Sequence, residues 1–344
     1  MTISRQLTED LIPITEHELT RLVTKVLLDN GVVEQTAKAV AGSMVAAERD
    51  GTFSHGLERL DAMVQTLKSG WITPGATPSV IDQAPGVVIV DATNGFAQGA
   101  LAAAHDLVIE KAKEQGIASL CIKNSHHFGA LWVDVEPFAD EGLIAMAFVH
   151  SRSRIVGPGA KQKVLGTNPM AFAAPMKDGN HLVWDQASSV MAHGDVLIAA
   201  NEQKMLPPGC GVDKEGKPTT DPNAVLDGGA LVPFGDHKGF LIAMMVEIMA
   251  AGLTGSVFGY QDQSMLYKGA HTSKAGQSFI VIDPRRAGIE MLDVRVRQLA
   301  DMLVATGTKR LPGQRRYERR RLAELQGMKI QAKHFIQLQS LANS

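Results

Sequence analysis

The chain has 344 residues, 45% of them hydrophobic and 20% charged, with a formal net charge of −2. That length can bury a large core in two domains, or in one with excursions, and the near-neutral balance argues against electrostatic capture of nucleic acid or of an anionic membrane. Cys121 and Cys210 are the only cysteines, so neither a disulfide framework nor a multi-cysteine zinc site is available. Residues 1–5 lack the apolar core of a signal peptide, and a cytoplasmic protein is expected.

Taken in order, a first helix is predicted from Thr15, with Glu18 completing a capping box and Leu19, Leu22, Val23, Val26 and Leu27 forming one stripe up to Asn30-Gly31. A second runs from Glu34 to about Asp50-Gly51 and buries Val40, Ala41, Met44 and Val45. A third starts near Gly56, turns Leu57, Leu60, Met63, Val64 and Leu67 inward, and ends at Gly70. Strand-like runs follow at 87–91, 117–123, 143–150, 170–174, 181–185 and 278–283, with helical stretches at 101–115 and 135–141 between them. This middle part reads as α/β without clean βαβ alternation. No Gly-x-Gly-x-x-Gly turn follows any strand candidate, so an ordinary Rossmann site is unsupported. Residues 240–253 are apolar nearly all round and predict a central buried helix. Two helices, 289–306 and 316–341, close the chain, and the last opens with the run Arg315, Arg316, Arg319, Arg320 and Arg321. A solvated face is the ordinary reading of such a run, with a phosphate contact as the alternative for its first members.

Several polar groups stand where chemistry is carried out. Ser54 and His55 are adjacent and Arg59 follows four residues later, which on one helix stacks imidazole and guanidinium on one face. Histidine moves protons near neutral pH, and guanidinium grips a carboxylate with two hydrogen bonds. The same residues also suit a capped helix start with a surface arginine. His126 and His127 follow a strand candidate; adjacent residues on a strand point to opposite sides, so they make a poor metal chelate and no metal site is expected. One of them, with the backbone around Gly129, either meets a cofactor or divides between core and surface with its neighbour. Thr167 and Asn168, Asp185, and His193-Gly194-Asp195 likewise suit either local turns or a ligand. Lys238 is misplaced at a helix start, where the dipole favours anions, and a bound anion would repair that. The Arg310, Arg315 and Arg316 cations around Pro312-Gly313 suggest a phosphate clamp.

Five motifs in register along nearly the whole chain resemble the malate/L-lactate dehydrogenase family that does not use the Rossmann fold. They are Ser54-His55-Gly56 with Arg59, Asn124 to Phe128, Leu165-Gly166-Thr167-Asn168-Pro169, His237-Lys238-Gly239 and Pro312 to Arg316. Within that family, residues 126–138 and 224–231 resemble the Δ1-piperideine-2-carboxylate/Δ1-pyrroline-2-carboxylate reductases most. The resemblance implies a central mixed sheet that binds nicotinamide (residues 76–300), packed with helical segments from both chain ends (1–75 and 301–344). It implies a homodimer that reduces a cyclic imino acid with NADPH, or with NADH, to L-pipecolate or L-proline. The alternative is a malate, lactate or other 2-hydroxy-acid dehydrogenase acting on a 2-oxo acid. By position, the resemblance makes His55 the proton donor with Ser54 as its relay, Arg59 the carboxylate anchor, and Thr167, His193 and Gly194 substrate contacts. It assigns the cofactor to His127, Phe128, Gly129, Ala130 and Leu131, to Asp185, Gln186 and Ala187, to His237 and Lys238, and to the turn Lys309, Arg310, Leu311, Pro312, Gly313, Gln314 and Arg315. Gln186 departs from the pattern, where many relatives are expected to carry methionine.

Overall fold

The structure is a computed structural model describing residues 11–342, so the N-terminal stretch read for a signal peptide lies outside the described residues. It opens with β1 (Leu11–Ile14), α1 (Glu16–Asp29) and α2 (Glu34–Arg49). Thr15 Oγ1 accepts the Glu18 N–H at 3.1 Å, which fixes the start of α1 as its capping pattern predicts. The stripe Leu19, Val23, Val26 and Leu27 packs against Val40, Ala41, Met44 and Val45 of α2 in one buried cluster. The third helix differs from expectation. Two 3₁₀ turns, Phe53–His55 and Leu57–Arg59, precede α3 (Leu60–Lys68), with the chain bent at Gly56. Glu48 causes the bend. Its carboxylate accepts the Leu57 N–H at 3.0 Å and occupies the space that a side chain on Gly56 would need.

The middle of the chain supplies β2 (Ser79–Ala84), β3 (Val87–Phe96), α4 (Ala97–Gln115), β4 (Ile117–His126), α5 (Leu131–Asp140) and β5 (Ile144–Val149). An excursion carries β6 (Ile155–Val156) and β7 (Lys163–Leu165), then β8 (Met170–Ala174) and β9 (Leu182–Gln186) return to the sheet. Next come α6 (His193–Asn201), β10 (Gly211–Val212), β11 (Pro218–Thr219), α7 (Pro222–Leu226), β12 (Ala230–Leu231), α8 (His237–Glu247) and β13 (Ala275–Ile282). The large sheet has the order β2-β3-β4-β13-β5-β8-β9, and a small one has the order β11-β10-β12-β6-β7. Only β3 and β4 pair in parallel in the large sheet; its other neighbours are antiparallel. The expected mixed sheet is therefore present, and all six predicted strands lie in it. β2 escaped the sequence reading because its residues are mostly exposed at an edge. Alanines on β5 and β8 (Ala145, Ala147, Ala171, Ala173) leave room for Trp132, Val135 and Phe138 of α5 in the main core.

Two further expectations need correction. Residues 240–253 do form a helix, starting at His237 and ending in a π turn at Ile248–Gly252. It is not buried all round: Leu241, Met244, Ile248 and Leu253 are 41–55% exposed. The C-terminal stretch after α9 (Leu292–Ala305) is not one helix over 316–341. It divides into α10 (Gln314–Gln326), β14 (Met328–Gln331) and α11 (Ala332–Leu341), broken at Gly327 with φ +76°. β14 pairs antiparallel with β1, so the two chain ends share a ribbon. No helix among the described residues is long and apolar enough to cross a membrane.

Candidate active site

The Phe53–Arg59 stretch leaves the C-terminus of α2 and carries its polar groups to the wall of a cavity of about 340 Å³. Ser54 Oγ lies 3.1 Å from His55 Nδ1, and the Arg59 Nε–H donates to the Ser54 carbonyl at 2.9 Å. The guanidinium thus folds back over the turn that holds the imidazole, although the two residues are not on one helix. Burial pushes the His55 pKa down to about 3, helped by the nearby Arg59 cation and by His127.

A second wall is the end of β4. Strand alternation splits the two histidines: His126 turns into the core, where Nε2 meets Asn94 Oδ1 at 3.1 Å, and His127 turns to the cavity. His127 Nε2 is held 2.8 Å from Asp134 Oδ2, which also accepts the Gln277 amide at 2.8 Å. The imidazole is thereby locked in orientation. Phe128, Gly129 and Leu131 continue this wall, with Ala130 buried between them. A Cβ on Gly129 would come within 2.7 Å of Ser43 Oγ and 2.9 Å of Gln98 Nε2, so a side chain there would have to displace one of them.

Asp185, Gln186 and Ala187 form a third wall as the chain leaves β9. Asp185 accepts the Trp132 N–H at 3.3 Å, in the first turn of α5. Burial pushes its carboxyl pKa up against the opposing pull of Arg316. Thr167 faces the cavity, but its neighbour Asn168 does not. Asn168 is fully buried at φ +38°, and its amide donates to the Ala243 carbonyl at 2.8 Å and to Glu247 Oε2 at 2.7 Å. In that motif Asn168 therefore serves the fold and Thr167 the cavity. His193 and Gly194, at the start of α6, complete the lining. Burial, with Arg154, Arg152 and Arg59 nearby, pushes His193 down to about 3.

Not every expected residue converges. His237 and Lys238 lie exposed on the first turn of α8, while the segment just before them is tied to the chain that follows the third wall by the Phe234 N–H to Ser188 carbonyl bond of 3.1 Å and the Val190 N–H to Val232 carbonyl bond of 3.0 Å. Lys309, Arg310 and Arg315 are exposed, while Leu311, Pro312 and Gln314 line a separate groove beside Arg297 and Tyr317. Gly313 packs that turn against the Val183 carbonyl of β9. The arginine run is not a solvated face throughout. Arg316 lies over the Trp132 ring at 4.6 Å and donates to the Val183 carbonyl, Arg319 lies over Phe53 at 5.3 Å, and Arg320 pairs with Asp50 and Glu136. The sequence reading missed Asp134, Arg152 and Arg154. The repeated arginines after a strand candidate were the available signal for the last two.

The walls fit a flat, amide-bearing ring. Leu131, Val149, Pro169 and Ala275 offer apolar surface, Gly129 leaves its backbone open, and His127 presents a fixed imidazole edge. Among the described residues no cluster of three or more His, Cys, Asp or Glu is arranged to hold a metal ion.

Residues 14–339 match the family model described as malate/L-lactate dehydrogenase, and the chain belongs to that family. It is similar to a Δ1-pyrroline-2-carboxylate/Δ1-piperideine-2-carboxylate reductase of Pseudomonas putida, with 49% identity over 93% of each chain. A crystal structure of the Δ1-piperideine-2-carboxylate reductase of Pseudomonas syringae pv. tomato superimposes with a TM-score of 0.94 at 45% identity, covering 96% of this chain and 99% of that one. A (2R)-3-sulfolactate dehydrogenase (NADP(+)) of Chromohalobacter salexigens is 38% identical over 90% of this chain and 92% of its own. The chain is thus an oxidoreductase of a fold distinct from the Rossmann type.

Proposed function

We propose that the protein reduces cyclic imino acids, Δ1-piperideine-2-carboxylate to L-pipecolate and Δ1-pyrroline-2-carboxylate to L-proline, with NADPH as donor. The observation that carries the reading is the convergence of His55 and Arg59 on one cavity with the His127 and Asp185 walls. Reductases of this activity at 49% and 46% identity support it. A bound nicotinamide supplies a hydride. His127, Phe128, Gly129, Ala130 and Leu131, with Asp185, Gln186 and Ala187, are the residues we assign to hold it. His237, Lys238 and the turn from Lys309 to Arg315 are assigned to its distal, phosphate-bearing part, outside the cavity.

Arg59 pairs with the substrate carboxylate and sets which face of the C=N bond is presented. Thr167, His193 and Gly194 border the substrate. Ser54 holds His55 by its Nδ1, leaving Nε2 for the ring nitrogen. A cyclic iminium and a ketone make different demands on this imidazole. An imidazole depressed to about 3 carries no ionised proton at neutral pH, whereas a cyclic iminium brings its own. His55 then orients the ring nitrogen and balances protons around it, and the anionic substrate beside Arg59 raises its basicity.

We further propose a homodimer, because Leu241, Met244, Ile248 and Leu253 expose an apolar stripe that monomers seldom leave open. A cytoplasmic setting and a division of the chain at residues 1–75, 76–300 and 301–344 belong to the same reading. The competing reading, a 2-hydroxy-acid dehydrogenase, draws support from the sulfolactate relative. A steady-state screen of both cyclic imines, pyruvate and oxaloacetate with NADPH and NADH separates the two. The imines should give the highest kcat/KM, and a preference for pyruvate or oxaloacetate would reverse the order.

A further inference from the structure

Glu247 closes α8, and its carboxylate is buried without an ion pair to any lysine or arginine among the described residues. Burial pushes its pKa up, and three donors oppose that. The Asn168 amide donates to Oε2 at 2.7 Å, the Gly259 N–H donates to Oε1 at 2.6 Å, and the Gly166 N–H adds a third bond. All three donors belong to chain that borders the cavity. Gly166 and Asn168 flank Thr167, and the Gly259 carbonyl accepts the Ser153 N–H at 3.3 Å. His150, on the cavity wall, brings its Nδ1 to 3.8 Å from Oε1; the ring proton is on that nitrogen, because Nε2 accepts the Gly276 N–H at 3.0 Å. Asn168 passes the constraint on. Its Oδ1 accepts the Ser151 N–H at 3.3 Å, while Ser151 Oγ accepts the Thr167 N–H at 3.3 Å and lies 3.5 Å from Thr167 Oγ1. Ser151 and Thr167 both line the cavity. A buried carboxylate is a costly way to hold a helix in place, since apolar side chains of similar volume often do so as well. What it adds is direction: each oxygen fixes where a donor, and the chain behind that donor, must stand.

We infer that Glu247 is a positioning residue for the reaction: it holds the Asn168 amide, and through Asn168 it sets the Ser151 and Thr167 hydroxyls against the substrate. This rests on reading the cavity as the imino-acid site, and it adds Ser151 to the groups that border the ring. Glu247 itself touches neither substrate nor cofactor. Its effect reaches the reacting atoms through a chain of three hydrogen bonds, Glu247 to Asn168, Asn168 to Ser151 and Ser151 to Thr167. A small displacement of such groups is expensive in rate, because productive geometry is narrow.

The test is a double-substitution cycle on the full chain, read in steady-state rates with Δ1-piperideine-2-carboxylate and in NADPH binding by fluorescence titration. Glu247→Gln keeps the side-chain shape and an acceptor for the Gly259 N–H, but turns an NH2 group toward the Asn168 NH2. It should lower kcat/KM about tenfold or more and leave the NADPH Kd within about twofold of wild type. Asn168→Asp alone sets two carboxylates against each other where the 2.7 Å bond stood, and should also lose activity. The double variant pairs donor with acceptor again, so its kcat/KM should exceed the product of the two single effects about tenfold. A purely structural role would place the coupling in the urea midpoint alone. Losses in kcat/KM that simply multiply therefore overturn the inference, as does an NADPH affinity that falls as far as kcat/KM. If far-UV circular dichroism shows Glu247→Gln to be unfolded, Ser151→Ala and Thr167→Val carry the test. Each should raise the KM for the imine several-fold, and a wild-type KM in both overturns the inference. Failure of the wider reading looks different: the wild-type protein itself would turn over no cyclic imine, and the inference would fall with it.

Discussion

Arg320 grips Asp50 through both Nη2, at 2.6 Å, and Nε, at 3.1 Å, and so ties α10 to the residue that ends α2 just before the Ser54-His55 turn. The Asp50 carboxylate is fully buried, and the same guanidinium reaches Glu136 on α5 at 2.8 Å. One cation therefore joins the approach to the Ser54-His55 turn, α5 and α10. Removing Arg320 leaves Asp50 with Arg49 at 2.7 Å but strips the buried Glu136 of its cation. Arg320→Ala should cost about 3 kcal/mol in urea-induced unfolding, and pairing it with Glu136→Gln should recover part of the loss. A loss below about 1 kcal/mol would mean that the network is only surface decoration.

His55→Ala should lower kcat/KM for Δ1-piperideine-2-carboxylate by about 10²-fold or more, at the lower end of the range for a positioned acid–base group. Ser54→Ala should cost less, because it only loosens the Nδ1 side of the ring at 3.1 Å. Both effects are read in initial rates of NADPH oxidation. Wild-type rates in His55→Ala would remove the imidazole from the chemistry.

Arg59→Lys keeps the charge and loses the planar fork, along with the Nε–H bond to the Ser54 carbonyl. The expected outcome is a raised KM together with a reduced kcat, about 10- to 100-fold in kcat/KM for the loss of one strong charge-assisted contact. A KM unchanged from wild type would show that the carboxylate is anchored elsewhere.

His126 makes stability fall in acid. Burial pushes its pKa down to about 3, with Lys274 adding repulsion. The folded imidazole stays neutral while the unfolded one takes up a proton below about pH 6.5. The unfolded state then binds more protons, so stability is present above that pH and is lost as pH falls toward 3. The loss is about 1.4 kcal/mol per pH unit from this residue. Unfolding free energies measured between pH 6.5 and 5 should show this slope, and His126→Gln should reduce it by about that amount. An unchanged slope in the variant would assign the acid lability to other groups.

Much of the fold was legible because it is local. The Thr15 cap, the stripes of α1 and α2 and the strands of the large sheet follow from side-chain spacing alone. Gly56 misled because the bend there is set by Glu48, a contact across nine residues that periodicity does not encode. The apolar face of α8 reads as buried because the sequence registers hydrophobicity and not what covers it. At the site, the motif residues Ser54, His55, Arg59 and Thr167 were found by pattern, but the pattern could not divide Thr167 from Asn168, since their roles depend on Glu247 and Ala243 far along the chain. Arg152 and Arg154 were overlooked because nothing local shows that the link after β5 brings them to the cavity wall.

The ribbon of β1 with β14 has a consequence for truncation. β1, which leads into the N-terminal helices and the turn bearing Ser54 and His55, pairs among the described residues with β14 alone, more than 300 positions further along the chain. A chain cut before α10 would keep every strand of the large sheet but lose both the ribbon and the Arg320 clamp on the approach to that turn.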